Sequence, residues 1–343
     1  MLRHACNFSL QARRSNCLVV SISILTGHVI FLQAKAFGEN QIKNIRNHLD
    51  TRDAKYITYP KFIFLCGKGF DKSVEDSYWN TNRGIIHRYM EKLLPDINVV
   101  LSEQLWEDGF DSKIDLLTFE EFLAEVSDAI ILFVESPGSF CELGAFAYAD
   151  SLFSDKMIVV LDEAYRNSRS FISTGPVLKA SDNGSKVVYA EIKYGALLAS
   201  EELRSVVLDL TSKMKTKISS INKRTINKDT NVYISSFIPE VLEIIRLAQP
   251  ILSADLIQLY KDIKGIDTFT FIKRNGEAFS REIQVTYIWK MLEVAQIVRI
   301  DEGYLSLLNY SKTQNFMLRY SGNAMDRERN RIICRKYRYG EKV

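Results

Sequence analysis

The sequence predicts an α/β fold built on a doubly wound parallel sheet, and three observations carry that expectation. Short apolar runs at 61–67 (KFIFLCG), 128–134 (DAIILFV) and 156–162 (KMIVVLD) have the length of buried strands. Segments with helical spacing of apolar residues separate them. Glycine, proline and small polar residues mark the junctions. Strands joined by helices imply a parallel sheet covered on both faces, with right-handed crossovers.

The elements follow in chain order. Residues 1–36 stand apart as an extension, read as lacking fixed structure or as a start site placed too far upstream. Within it, LVVSISILTGHVIFL (18–32) follows Arg3, Arg13 and Arg14, so a signal or anchor has to be weighed. The run falls short of a spanning helix and His28 interrupts it, so no membrane association is expected. Residues 37–58 are polar, with one amphipathic patch, QIKNIRNHL. After the first strand, NRGIIHRYMEKLLPD (82–96) has helical spacing and stops at Pro95. INVVLSE (97–103) is a second strand, and IDLLTFEEFLAEVS (114–127) a helix leading into the central strand. SFCELGAFAYADSLF (139–153) is a helix, and KVVYAEI (186–192) a fifth strand after 156–162. Such a doubly wound, flavodoxin-like domain over 37–198 binds its ligand at the carboxyl ends of its strands.

Beyond residue 198 the pattern changes. Two long helices around a basic turn, NKRTINKDT (222–230), form a connector over 199–250. Then come a helix at 251–264, another ending near 296, and two short strands around Asp301-Glu302-Gly303, a hairpin turn signal. Helix, helix and hairpin suggest a winged helix-turn-helix over 251–325. A basic tail, 326–343, mixes arginines with tyrosines. The groups that suggest chemistry all precede residue 180, so the first domain is expected to hold its own core without 251–343.

Composition narrows the function. A net charge of +3 excludes a protein that coats nucleic acid over its whole surface, but not a local basic patch. Lys290, Arg299, Arg335, Lys336 and Arg338 are the candidates for contact with a nucleic acid or a partner, with Tyr337 and Tyr339 placed to stack on bases. The five cysteines form no CxxC pair, so neither a disulfide framework nor a zinc site is expected, and a reducing cytoplasm fits. No metal and no cofactor is expected.

The informative stretch is ESPGSFCELG (135–144), directly behind the central strand. Read locally, Ser139-Phe140-Cys141-Glu142 is a capping box, with Ser139 at the cap and Glu142 reaching back to its amide. Read by its place, the same segment lies where this architecture binds ligands. Pro137 and Gly138 then make a tight turn that leaves backbone N–H groups free to meet an anion, and Glu142 becomes a nucleophile kept ionised by the helix dipole. Asp128 opens the central strand and is a candidate support for the site.

The segment EVSDAIILFVESPGSFCELGAFA (125–147) resembles the core of nucleoside 2-deoxyribosyltransferase-like domains. With FIFLCGKG (62–69) before it and RSFISTGPV (169–177) after it, the order resembles effector proteins of bacterial retron anti-phage systems. Those join such a domain to a C-terminal winged-helix segment. The resemblance leaves out the first 36 residues. It implies that Glu142 attacks the anomeric carbon of a sugar. It places a second carboxylate at Glu120, eight residues before Asp128, where the transferases have Asp. The transferases' Asp six residues before the nucleophile is Ser136 here, which puts ordinary base exchange in doubt and leaves glycosidic cleavage open. The implied substrate is NAD or a related nucleotide, contacted by Cys66, Gly67, Lys68, Gly69, Ser136, Pro137, Gly138, Ser139, Phe140, Phe171 and Gly175. The implied partners are a reverse transcriptase and its msDNA, an RNA–DNA hybrid, and a higher-order oligomer is compatible. A salvage deoxyribosyltransferase and an inactive nucleotide-sensing regulator stay open as alternatives.

Overall fold

Apolar side chains on both faces of a strand are buried only inside a sheet covered twice. The computed structural model describes residues 17–23, 29–35, 37–49, 54–56, 62–95, 97–106, 114–148, 153–192, 196–216, 230–308, 318–320 and 324–339. In it the three apolar runs are the centre of a five-stranded sheet. Before that sheet come strands β1 (Cys17–Ser23) and β2 (Val29–Lys35), helix α1 (Glu39–Leu49) and strand β3 (Ala54–Tyr56). The sheet strands are β4 (Phe62–Cys66), β5 (Asn98–Val100), β6 (Ala129–Phe133), β7 (Met157–Asp162) and β8 (Lys186–Ala190). Their spatial order is β5-β4-β6-β7-β8, all parallel, with Phe64 beside Ile130 and Leu132 beside Val159. The direction of winding reverses between β4 and β6, which opens a crevice at their carboxyl ends.

Helices α2 (Asn82–Leu93), α3 (Ser102–Trp106), α4 (Leu116–Val126), α5 (Pro137–Tyr148), α6 (Leu178–Asp182) and α7 (Glu201–Thr216) join or flank the strands. Alternation along β4 decides the layers. Phe62, Phe64 and Cys66 share a core with Phe119, Phe122, Leu143 and Phe146, from α4 and α5. Ile63 and Leu65 share the opposite core with Ile86, Met90, Leu203 and Val207, from α2 and α7. Helix α7 therefore belongs to the sheet unit, although its sequence reads as the start of a connector. A turn of π-helix at Ser173–Val177 precedes α6 and holds Pro176, where a loop is expected from Gly175-Pro176.

The C-terminal lobe contains β9 (Asn231–Tyr233), α8 (Ile234–Ala248), β10 (Ile251–Leu252), α9 (Ser253–Lys264), β11 (Thr270–Ile272), α10 (Val285–Val294), β12 (Val298–Asp301) and β13 (Tyr304–Leu307). Strands β10, β13 and β12 form an antiparallel sheet in that order. The expected hairpin is present: Asp301 pairs with Tyr304 across Glu302 and Gly303, both at positive φ (48° and 83°). Strand β14 (Leu318–Tyr320) pairs with β3, and helix α11 (Ala324–Tyr339) follows.

Three sequence expectations change here. The run at 18–32 contributes to a hairpin, with Cys17 opposite Lys35 and Ser23 opposite Val29. No helix among the described residues is long and apolar enough to cross a membrane. The amphipathic patch at 41–49 is part of α1, which joins the C-terminal lobe: Arg46 Nε donates to the Ile263 carbonyl at 2.8 Å. The basic turn 222–230 lies almost wholly outside the described residues.

The third change concerns independence. Helix α4 covers the sheet with one face and meets the C-terminal lobe with the other. Phe119 packs edge-on against Tyr287 with centroids 6.1 Å apart. Lys273 Nζ lies 3.1 Å from Glu121, Arg281 Nε 3.0 Å from Asp115, and the Arg274 amide donates to Glu125 at 2.8 Å. One continuous core runs from Phe64 through Phe119 to Phe237 and Trp289. The sheet unit thus shares its core with residues 251–343. Deleting them should give a protein that aggregates rather than a free, soluble sheet unit, because the α4 surface is left bare. Size-exclusion chromatography of the 1–250 fragment checks this, and a soluble, folded monomer would contradict it.

Candidate active site

Helix α5 starts where β6 ends, and its first turn is tied by two serines. Pro137 is its first residue, where the missing N–H costs nothing. Ser136 is therefore the cap, three residues earlier than the capping-box reading places it. The Ser136 Oγ accepts the Ser139 amide at 3.3 Å. The fully buried Ser139 Oγ accepts the amides of Glu135 and Ser136, each at 2.9 Å, and donates to the Ser136 carbonyl. Glu142 falls in the second turn and caps nothing.

The same bonds revise the anion cradle. The amides of Glu135, Ser136 and Ser139 are engaged within the turn, and that of Phe140 bonds the Ser136 carbonyl at 3.1 Å. The Lys68 amide donates to Glu135 Oε1 at 3.2 Å. Gly67 has a real steric reason: at φ 152° a Cβ would stand 3.1 Å from that of Phe133 and 3.2 Å from Glu135 Oε1. At Gly69 a Cβ would meet nothing within 4 Å.

Glu142 and Glu120 are both raised carboxyls, and the charge of Glu142 acts on Glu120. The Glu142 carboxyl is pushed up to about 7, by burial first and then by the charge of Glu103, while Arg83 opposes the rise. Its Oε2 is buried and has no hydrogen-bond partner. Glu120, on the sheet-facing side of α4, is 3% exposed. Burial and then the Glu142 charge push it up to about 8, against a hydrogen bond from Ser102. The helix dipole therefore does not keep Glu142 simply ionised; desolvation and the neighbouring carboxylate outweigh it. Beneath them lies Cys66, buried, with its thiol pushed well up by burial and by Glu142.

Arg83 and Glu103 complete the cluster; the sequence places Glu103 at the carboxyl edge of the strands without giving it a role, and Arg83 was missed. Arg83 is 1% exposed and forks onto Glu103: Nη2 meets Oε1 at 2.6 Å and Nη1 meets Oε2 at 3.0 Å. Nη2 also donates to the Lys68 carbonyl at 2.7 Å. These bonds join the starts of α2 and α3 to the loop after β4. The available signal was position, since each residue sits just beyond or opposite a strand's carboxyl end.

Other candidates lie elsewhere. Asp128 is at the amino edge of the sheet, where its Oδ2 accepts the Phe62 amide at 3.1 Å and its own amide bonds the Phe62 carbonyl. A five-residue strand, about 16 Å long, separates it from the crevice, so it staples β4 to β6. Phe171 is 83% exposed and, with Gly175, does not line the crevice. Lys290 pairs with Glu293 at 3.4 Å on α10, and Arg299 with Asp301 at 3.5 Å on β12. Helix α10 buries Tyr287, Ile288, Trp289, Met291 and Leu292, so much of it is packing surface. Arg335 and Lys336 are exposed on α11; Arg338 lies on the same helix, its side chain outside the described set. Among the described residues no group of three or more His, Cys, Asp or Glu is placed to hold a metal.

The raised carboxyls carry a stability cost. A carboxyl whose folded pKa exceeds its unfolded one stabilises the fold below the unfolded value of 4.5, and that contribution is lost as pH rises through about 8 for Glu120. Glu120→Gln should thus melt higher than the parent near pH ~9, by on the order of 1–3 kcal/mol, and this gain should shrink near pH ~5. Thermal melts at both pH values check it; a gain independent of pH would contradict the electrostatic cause.

Comparison with known proteins places the chain in a family. The profile of the STM3845 retron effector protein family matches residues 80–299. A protein of Escherichia coli, named as a candidate ribosyltransferase/DNA-binding protein of retron Ec86, is 29% identical over 280 residues, covering 79% of this chain and 84% of that protein. Its counterpart from retron Ec73, also of Escherichia coli, is 34% identical over 121 residues, covering 34% of this chain and 37% of that protein. The family match runs from α2 into the start of β12 and so holds Arg83, Glu103, Glu120 and Glu142 together with most of the C-terminal lobe: the chain belongs to the STM3845 family of retron effector proteins.

Proposed function

We propose that this effector is an N-glycosidase that cleaves the bond between sugar and base in NAD or a related nucleotide, and that it is the toxic component of its retron. The observation that carries this reading is the pair Glu142 and Glu120, buried together at the carboxyl edge of the sheet and both raised towards neutrality. Cleaving an N-glycosidic bond builds positive charge at the anomeric carbon. An ionised Glu142 attacks that carbon; the carbon–nitrogen bond breaks and its electron pair leaves with the base. Water then displaces Glu142 from the sugar: its oxygen and one proton become the new hydroxyl, its other proton goes to solvent, and the carboxylate is restored. Glu120 holds its proton more tightly than Glu142, so at neutral pH it donates a hydrogen bond to a neighbouring oxygen of the sugar. The unpartnered Oε2 of Glu142 supports the assignment of roles, since a buried oxygen without a donor is available to react. The architecture is read as a flavodoxin-like sheet with a winged-helix lobe, on the strand order and the α8-β10-α9-α10-hairpin sequence.

Restraint by a reverse transcriptase and its msDNA belongs to the same reading. The C-terminal lobe grips α4 through Lys273, Arg274 and Arg281. A partner bound to that lobe has a mechanical path to Glu120, which lies on the same helix. The exposed Arg335 and Lys336 of α11 are where phosphates would be met, in a salt-dependent manner.

Glu142→Gln should lower base release from NAD by about a thousandfold or more with the fold intact, whereas Asp128→Asn should lose stability and keep most of its rate. In the parent protein the rate should fall as pH drops below about 7, because the nucleophile must be ionised. Chromatography of released base across pH, beside melting curves, measures both. A Glu142→Gln protein with the parent's rate would remove the residue from the chemistry.

A further inference from the structure

Among the described residues Arg83 has the largest fully buried side chain. Removing a guanidinium from water is costly, and a buried ion pair is often no more stabilising than apolar side chains of similar size. The Arg83 Nε is buried without a hydrogen-bond partner, which adds to the cost. Nor does the start of α2 need this residue, because Thr81 Oγ1 already caps the helix by accepting the Gly84 amide at 3.0 Å. Stability alone does not account for an arginine here.

The bonds of Arg83 lead to the two raised carboxyls by two routes. Along the first, Nη2 donates to the Lys68 carbonyl at 2.7 Å, and the Lys68 amide donates to Glu135 Oε1 at 3.2 Å. The Glu135 amide in turn donates to Ser139 Oγ at 2.9 Å, in the first turn of α5. Glu142 stands one turn further along that helix. Asn82, beside Arg83, holds the other Glu135 oxygen at 2.6 Å. The second route passes through Glu103, which takes the fork of Arg83. Its neighbour Ser102, also on α3, donates a hydrogen bond to Glu120. Within the pair the Arg83 side chain is 1% exposed and that of Glu103 26%, so the guanidinium is the anchored member.

The charges agree with the bonds. Among the described residues, the titratable groups that act on Glu142 or feel its charge are Arg83 of α2, Glu103 of α3, Glu120 of α4 and Cys66 of β4. Arg83 is the cation of that set. Glu103 pushes the Glu142 carboxyl up, and Arg83 pulls it down.

We propose that Arg83 and Glu103 are a positioning pair for Glu142: the guanidinium fixes where the Glu103 carboxylate stands and offsets part of its charge, and the remainder decides how readily Glu142 ionises. The bearing of the pair on turnover rests on the glycosidase reading above. No bond forms or breaks at either residue. Without Arg83, Glu142 faces the Glu103 charge with nothing to offset it, so ionisation needs a higher pH. Without Glu103 the guanidinium acts unopposed, so Glu142 ionises at a lower pH.

The test uses full-length protein with Arg83→Met, Arg83→Lys, Glu103→Gln and the Arg83→Met/Glu103→Gln double substitution. Base release from NAD is followed across pH. Glu142 is also titrated directly, by carboxyl NMR of protein carrying carbon-13-labelled glutamate, its signal assigned as the one that Glu142→Gln removes. Arg83→Met should raise both the Glu142 midpoint and the acid limb of the rate profile by about one pH unit, which lowers the rate at pH ~6 about tenfold. Glu103→Gln should move both downwards, and the double variant should fall between the two. Arg83→Lys, which keeps the charge without the fork, should return the midpoint towards that of the parent. Melting curves verify folding, and Glu103→Gln, at the more exposed partner, carries the test if the Arg83 variants do not fold. Variants that melt earlier with an unmoved midpoint overturn the inference, because the pair is then only a staple between α2 and α3. Midpoints that move the same way in Arg83→Met and Glu103→Gln overturn it as well. If the parent releases no base while the midpoints move in opposite directions, the glycosidase reading fails and the hold of the pair on Glu142 stands.

Discussion

Helix α4 is buried on both faces, and the chemistry of the site depends on that. One face closes the sheet through Phe119, Phe122 and Leu123. The other accepts the C-terminal lobe through Glu121, Glu125 and Asp115. Glu120 sits on the sheet side of this helix, and the double burial removes water from it. Desolvation is the largest cause of its raised pKa. A sheet unit standing alone would leave the outer face of α4 wet and loosen the environment that holds the proton on Glu120.

The carboxyl end of α4 shows how such a helix is held. Its terminal carbonyls have no partners within the helix. Lys156, 8% exposed, donates to the carbonyls of Ala124 and Ser127 at 2.5 and 2.9 Å, and Arg274 donates to that of Glu125 at 3.0 Å. One donor comes from the sheet unit and one from the lobe, so the two units share the task of closing the helix. At the other edge of the sheet, Arg83 performs the matching service for Glu103 and the Lys68 carbonyl. Its charge opposes the rise that burial and Glu103 impose on Glu142 without cancelling it.

Several of the site's features were legible as residues but not as geometry. ESPGSFCELG marked the turn after the central strand and the helix that carries Glu142, because a small-sided helix after an apolar strand has few other places to go. The cap register was misread by three residues. S-x-x-E is satisfied equally well on paper by Ser139 and Glu142, and only the path of the chain shows Ser136 and Ser139 bonded to each other. Asp128 looked like site support because it opens the central strand. A parallel strand carries the chain the full height of the sheet, and so put Asp128 at the far edge. Phe171 was placed near the substrate by resemblance, yet its ring is in solvent.

By itself the sequence determined the parallel sheet, its five strands, the helix that carries Glu142 and the hairpin at Glu302-Gly303. Each of these rests on local periodicity or on turn chemistry, which neighbours along the chain decide. Tertiary structure alone decided that α1 belongs to the C-terminal lobe, that α7 belongs to the sheet, and that Arg83 reaches Glu103 while Asn82 reaches Glu135. Those contacts join residues 20 to more than 200 positions apart. They follow from the order in which strands assemble and from the area that each pair of surfaces removes from water, and neither is written in any local stretch of residues.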